Sequence, residues 1–239
     1  MIYLSGTLFQ MKDLYTHYNK RKLWLSPERT VTKLLFAVAI LLIFFLVWIV
    51  FVYGKPSFDE KTFSLVRPHA TEERTRFMLF ITFLGNPAFL VPANLLVIFY
   101  FLIRKYNWLA LRIGLISLGG LLIKLGLKQV FHRLRPDNSL IEGGVNGFSF
   151  PSGHAMLSVA FYGFLIWLTA HSIHKKIVQW GVIIFLALLI LVISFSRIYL
   201  RVHFATDVLA GLCTGFVWLS FCLWLIDKKQ FPASPLPQP

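Results

Sequence analysis

The sequence predicts an all-α integral membrane protein with six transmembrane helices and its working site at the outer membrane–water interface. Three observations carry this. First, 57% of the 239 residues are apolar and only 14% are charged, too few charges to cover a soluble surface. Second, six apolar runs approach the roughly 20 residues needed to cross a hydrocarbon core about 30 Å thick. Third, ionisable residues gather where these runs end, and such residues beside a bilayer are functional candidates by default.

The runs lie near residues 34–53, 77–103, 113–131, 155–170, 177–195 and 208–226. The organisation that follows is a cytoplasmic amphipathic segment over 1–33, a six-span domain over 34–227 and a short cytoplasmic tail over 228–239. Tyr15, Tyr18 and Trp24 stand among basic residues in the first segment, which reads as an interfacial helix. The first 30 residues are polar, and Tyr53-Gly54-Lys55-Pro56 offers no small-x-small cleavage pattern, so the first run reads as a retained anchor. Gly85-Asn86-Pro87 and Pro92 interrupt the second run; it reads as a short interfacial helix followed by a span from about residue 88. The proline-rich tail from Phe231 to Pro239 reads as disordered.

A formal charge of +14 would suggest nucleic acid for a soluble chain, but here the charge follows topology. Lys12, Lys20, Arg21, Lys22, Arg29 and Lys33 precede the first run, and Arg104, Lys105 and Arg112 separate the second from the third. Lys175 and Lys176 lie between the fourth and fifth, and Lys228 and Lys229 follow the last. With six crossings these segments share one side, so the positive-inside rule places both termini in the cytoplasm of a cell membrane. In the opposite segment, residues 54–76, Lys55, Lys61, Arg67, Arg74 and Arg76 are offset by Asp59, Glu60, Glu72 and Glu73, as suits a periplasmic or exterior face. The expected partners are therefore the bilayer and a lipid, with no nucleic acid. Cys213 and Cys222 both sit in the last run and read as packing residues. No metal-binding or cofactor-binding pattern appears, so neither is implied.

Three polar groups fall on the outer face: Lys128 to Arg135-Pro136, then Pro151-Ser152-Gly153-His154, then Ser196-Arg197 through His203 to Asp207. If the third helix persists, Lys128 and Arg135 share one face before Pro136 breaks it. Gly143, Gly144 and Gly147 give the following loop freedom. Ser152-Gly153-His154 then opens the fourth helix, whose first amides and positive dipole end favour an anion. Arg197 ends the fifth helix and His203 begins the sixth, four residues from Asp207 and on the same face. Lys128, Arg135 and Arg197 suit the equatorial oxygens of a phosphoryl group. His203 suits a nucleophile if Asp207 accepts its other ring proton, and His154 an acid that protonates a leaving alkoxide and later activates water.

These motifs resemble the signature of the membrane-bound type 2 phosphatidic acid phosphatases, the lipid phosphate phosphatases that share a site with bacterial acid phosphatases and vanadium haloperoxidases. Lys128-x6-Arg135-Pro136, Pro151-Ser152-Gly153-His154 and Ser196-Arg197-x5-His203-x3-Asp207 fill every signature position. The resemblance implies a six-helix core, a phosphohistidine on His203, metal-independent hydrolysis, and phosphate contacts from Ser152 and the Gly153 amide. Phosphatidylglycerol phosphate, phosphatidic acid, undecaprenyl diphosphate and lipid A phosphate are all candidate substrates.

Each residue also has a structural reading. Lys128 alone reads as a snorkelling side chain, Ser152 as a helix cap, and Ser196-Arg197 with Arg201 as headgroup ligands. Their coincidence on one face favours catalysis. Lys124, one turn before Lys128, either lines the site or pairs within the bundle. Arg133 and Arg201 either favour a highly anionic headgroup or bind surface phospholipid. Phosphoryl transfer to another acceptor would use the same motifs, and a non-catalytic lipid-binding or transport protein on this scaffold is the alternative outside enzymology. Oligomeric state is not legible.

Overall fold

The computed structural model describes residues 30–54 and 57–228. Eight α-helices follow in order: α1 (Thr30–Phe51), α2 (Ser57–Val66), α3 (Glu72–Phe83), α4 (Pro87–Ile103), α5 (Asn107–Phe131), α6 (Gly153–Ser172), α7 (Lys176–Tyr199) and α8 (Ala205–Lys228). A single 3₁₀ turn, Arg67–His69, follows α2, and no strand occurs among the described residues. Counting α3 and α4 as one interrupted crossing, six spans are long and apolar enough to cross a bilayer. The expected amino-terminal interfacial segment and the tail lie outside the described residues except at their inner ends. Residues 30–33 belong to α1, and Lys228 closes α8.

α6 is the core of the bundle. Fifteen of its twenty residues are buried, whereas α1, α4 and α5 turn rows of Leu, Val and Phe outward as lipid-facing surface. The buried cluster joins Leu90 and Phe101 of α4, Ile113 and Ile116 of α5, Phe161, Phe164 and Trp167 of α6, and Ile190 and Ile193 of α7. α8 approaches α6 through Gly211 and Gly215, one helical turn apart. A Cβ at Gly211 would stand 2.5 Å from the Ser152 carbonyl oxygen, and one at Gly215 2.6 Å from that of Met156. Small residues at this spacing let two backbones meet in lipid, where no hydrophobic force drives helices together.

The expected interruption of the second run is present. α3 ends before Gly85, and the Asn86 side chain accepts the Ala88 N–H at 2.9 Å to start α4 with Pro87 in its first turn. Gly85 marks a close approach, since a Cβ there would stand 2.5 Å from Ile193 of α7 and 3.3 Å from His154. Pro92 is accommodated inside α4. Residues 57–76 are more ordered than a charge-balanced loop implies: they contain α2, whose Asp59 is 2% exposed.

Candidate active site

Alternating chain direction brings the end of α5, the start of α6, the end of α7 and the start of α8 to one end of the bundle. The candidate site residues read from the sequence, Lys128, Arg135, Ser152, Gly153, His154, Arg197, His203 and Asp207, all belong to these segments or to the loops that adjoin them. Two local expectations need correction. α5 stops at Phe131 because His132 adopts a left-handed φ of 45°, so Arg135 belongs to the following loop and not to a continued helix face. His203 likewise lies in the turn before α8, which begins at Ala205.

The loop nevertheless directs both side chains inward. Arg135 donates from Nε to the Gly147 carbonyl at 2.9 Å and from Nη1 to the Val202 carbonyl at 2.7 Å. The same Nη1 lies 3.3 Å from Nε2 of His203. Gly143, Gly144 and Gly147 all take positive φ, between 68° and 84°, as the loop folds back. Lys128 donates from Nζ to the Phe148 carbonyl at 2.6 Å.

The tautomer of His203 follows from its partners. A guanidinium can only donate, so Nε2 carries the lone pair and Nδ1 the proton. Nδ1 faces Ser149 Oγ at 3.3 Å and Asp207 Oδ2 at 3.6 Å. The Ser149 hydroxyl donates a short hydrogen bond to that same carboxylate oxygen. A serine thus bridges the histidine and the aspartate, whose direct separation exceeds hydrogen-bonding distance. Burial pulls the His203 imidazole down to about 4, against the opposing pull of Asp207. Burial also lowers Arg135, which Asp207 partly counters.

Asp207 is fully buried, and other groups satisfy its remaining valences. Oδ2 accepts the Phe204 N–H at 2.9 Å, and Oδ1 accepts from Arg133 Nη1 at 2.5 Å. Arg133 is therefore no headgroup cation. It also donates to Thr206 Oγ1 at 2.7 Å and to Asp59 Oδ2 at 2.9 Å.

Across the site, Arg197 is 3% exposed and donates from Nη1 to Thr82 Oγ1 at 2.7 Å, a contact allowed by the break after α3. Ser152 occupies the cap position of α6, yet its side chain makes no capping hydrogen bond. Ser152 Oγ, His154 Nε2 and Arg197 Nε are buried without a protein partner. Buried polar atoms are nearly always paired, so these three, two at the start of α6 and one in the last turn of α7, make this end of the bundle a candidate site for an anion or polar ligand. His154 lies within electrostatic reach of Arg197, His203, Lys124 and Arg135. Lys124 lies along Gly153: a Cβ there would stand 2.9 Å from its Cδ, so Lys124 lines the site. Arg201 adopts a left-handed φ of 51° in the turn and is half-buried.

Ser149, Asp59, Thr82 and Thr206 were not legible beforehand. Ser149 stands only two positions before Pro151, a closeness that was its one signal. Asp59 is 147 positions from Thr206, and no spacing joins them.

A family model described as the PAP2 superfamily matches residues 108–231. The chain is 33% identical over 154 residues to a phosphatidylglycerophosphatase B of Bacillus subtilis strain 168, covering 62% of this chain and 73% of the relative. It is 29% identical over 171 residues to an undecaprenyl-diphosphatase of Sulfolobus acidocaldarius, covering 69% and 76%. The crystal structure of a transmembrane PAP2 type phosphatidylglycerolphosphate phosphatase from Bacillus subtilis aligns with a TM-score of 0.70 at 26% identity, over 84% of this chain and 98% of that one.

Proposed function

Because the chain belongs to the PAP2 superfamily and is a multi-pass membrane phosphatase, we propose that it hydrolyses a lipid phosphomonoester or diphosphate through a phosphohistidine on His203. The observation that carries this reading is the Arg135–His203 contact, which leaves the Nε2 lone pair beside a cation able to hold a phosphoryl oxygen.

In the first step Nε2 forms a bond to phosphorus as the phosphorus–oxygen bond to the lipid breaks. His154, protonated once the anionic phosphate lies beside it, gives its proton to the leaving oxygen. Arg135, Lys128, Arg197, Ser152 and the Gly153 amide hold the three equatorial oxygens, so the developing charge meets donors already in place. Positive charge on the phosphorylated imidazole is offset by Asp207, partly through Ser149. In the second step His154 takes a proton from water, the oxygen attacks phosphorus, and Nε2 leaves with its electron pair, releasing inorganic phosphate. No metal has a role in this scheme.

Substrate class is supported by what adjoins the site. An apolar cavity of about 530 Å³ opens between α4, α5 and α6, lined by Leu90, Leu95, Ile98, Leu118, Leu121 and Phe161 among others. Leu121 stands one turn from Lys124, and Leu157, also lining it, one turn from His154, so a tail in this cavity leads to the phosphoryl site. The two curated relatives are named for phosphatidylglycerophosphate and undecaprenyl diphosphate. These head the candidates here, with phosphatidic acid and lipid A phosphate behind. We assign the site end to the periplasm or exterior and both termini to the cytoplasm, a reading supported by the basic residues between spans. A carboxyl-terminal reporter active only outside the cell would overturn that orientation.

The test is phosphate release by the detergent-purified full chain with EDTA present, across a panel of lipid mono- and diphosphates, beside His203→Ala. Release that survives EDTA and vanishes in the variant is the expected result. No release from any lipid, or equal release by the variant, would overturn the reading.

A further inference from the structure

Helix α2 lies between the first two spans and contains none of the signature residues, yet it reaches the catalytic turn through one buried side chain. Asp59 Oδ1 accepts the Thr206 N–H at 2.9 Å, and Oδ2 accepts Thr206 Oγ1 at 2.8 Å and Arg133 Nη2 at 2.9 Å. Arg133 in turn holds Asp207 Oδ1 at 2.5 Å, and its guanidinium lies 4.1 Å over the Phe204 ring. Phe63 of α2 packs on that ring from 5.6 Å. Arg133 is also tied through its backbone, since its carbonyl accepts the Ser149 N–H at 2.7 Å. One residue thus orders both the aspartate and the serine that face His203 Nδ1.

The charges in this cluster have a consequence for the chemistry. Two buried carboxylates share one guanidinium, so Asp59, Arg133 and Asp207 together carry one net negative charge. That is the counter-charge an imidazolium needs when His203 is phosphorylated. Without Asp59, Arg133 would neutralise Asp207 alone, and the phosphorylated ring would face no net charge. Breaking a buried ion pair also leaves its remaining member uncompensated.

We propose that Asp59 and Arg133 are positioning residues for catalysis, with Asp59 keeping Arg133 from cancelling the charge that Asp207 offers to His203. This rests on the phosphohistidine reading above. It makes α2 part of the catalytic apparatus without contact to substrate.

The test uses the full chain and its best lipid phosphate, with kcat, KM and melting temperature measured for Asp59→Asn, Arg133→Met and the double variant. Asp59→Asn keeps the side-chain shape and an acceptor for the Thr206 N–H. It is expected to lower kcat about ten-fold with KM within two-fold of wild type. The double variant, again with one net negative charge, is expected to turn over faster than Asp59→Asn. If Arg133→Met does not fold, Asp59→Asn and Arg133→Lys decide, the lysine retaining most of the wild-type kcat. Folded Asp59→Asn with kcat within two-fold of wild type would overturn the inference. So would changes confined to KM, which would make Arg133 a substrate ligand, or losses that add in the double variant. A wild-type protein that releases no phosphate from any lipid would instead remove the hydrolase reading on which the inference stands.

Discussion

Nη1 of Arg135 stands 3.3 Å from Nε2 of His203 and donates to the Val202 carbonyl at 2.7 Å. The guanidinium therefore does two things: it pins the turn that carries the histidine, and it fixes which ring nitrogen is unprotonated. Arg135→Ala is expected to lower kcat by about 10²- to 10³-fold, the range for removing one preorganised donor. Arg135→Lys is expected to recover little, because an ammonium cannot serve Gly147, Val202 and a phosphoryl oxygen from one plane. Steady-state kinetics check this, and a lysine variant near wild-type kcat would contradict it.

Ser149 is the link between His203 and Asp207, whose own separation is 3.6 Å. Ser149→Ala removes the bridge and leaves a buried Nδ1–H poorly paired. A roughly ten-fold or greater fall in kcat with little change in KM is expected, because the ring's tautomer and orientation matter after substrate is bound. Ser149→Thr retains the hydroxyl and is expected to keep more of the rate. If alanine and threonine variants turn over equally, the bridge has no catalytic part.

Burial lowers His203 to about 4, well below the roughly 6.5 of an unperturbed histidine. A nucleophilic ring must be neutral, so the acid limb of kcat/KM that belongs to His203 is expected near pH 4 and not near 6.5. The stability consequence has a definite sign. Between about pH 4 and 6.5 the unfolded chain holds this proton and the folded one does not, so stability falls as pH falls through that window. A pH–rate profile together with melting temperatures across pH 4 to 7 tests both. His203→Gln is expected to remove this contribution to the stability slope, and an unchanged slope would contradict it.

Much of the candidate site was legible because its chemistry is local in sequence. Four residues at the start of α6 supply Ser152, Gly153 and His154, and eleven residues span Arg197 to Asp207, so spacing alone groups them. The spans were legible because a bilayer demands long apolar runs, and Gly85-Asn86-Pro87 announced the break before α4. The remainder depends on contacts between segments remote in sequence. Asp59 read as one of several acidic residues in a balanced loop, because nothing local distinguishes a solvated carboxylate from one buried against Thr206 and Arg133. Arg133 read as a cation for an anionic headgroup or for surface phospholipid, for the same reason. His203 appeared to open the last helix because apolar patterning does not reveal that the turn over residues 200–204 delays its start to Ala205.

Gly211 sets the position of the proposed phosphate-binding turn, at the start of α6, from the neighbouring helix. A Cβ there would meet the Ser152 carbonyl oxygen at 2.5 Å and Ala155 Cβ at 3.1 Å. Backbone cannot yield as a flexible side chain does, so Gly211→Ala is expected to push α8 from α6. A destabilisation of about 1–3 kcal/mol is expected, typical of overpacking. Because the Ser152 N–H donates to the Asp207 carbonyl at 2.9 Å, the shift also separates the two halves of the site. The folded fraction is therefore expected to lose activity as well. Thermal unfolding and specific activity, measured on the same sample, distinguish this from a purely structural defect.

The apolar cavity between α4, α5 and α6 yields the last expectation. Gly114 lines it and has room, its hypothetical Cβ meeting only Ile98 Cδ1 at 4.0 Å. Gly114→Phe would project a ring into the space without disturbing the backbone at the phosphoryl site. If the cavity receives the lipid tail, the variant is expected to lower kcat/KM for a long-chain lipid phosphate by about ten-fold, and by much less for a short-chain analogue of the same headgroup. The difference arises because a long tail must occupy the space that the ring fills, between Gly114, Ile98 and Leu118, whereas a short one need not reach it. Equal losses for both chain lengths would place the tail elsewhere on the bundle.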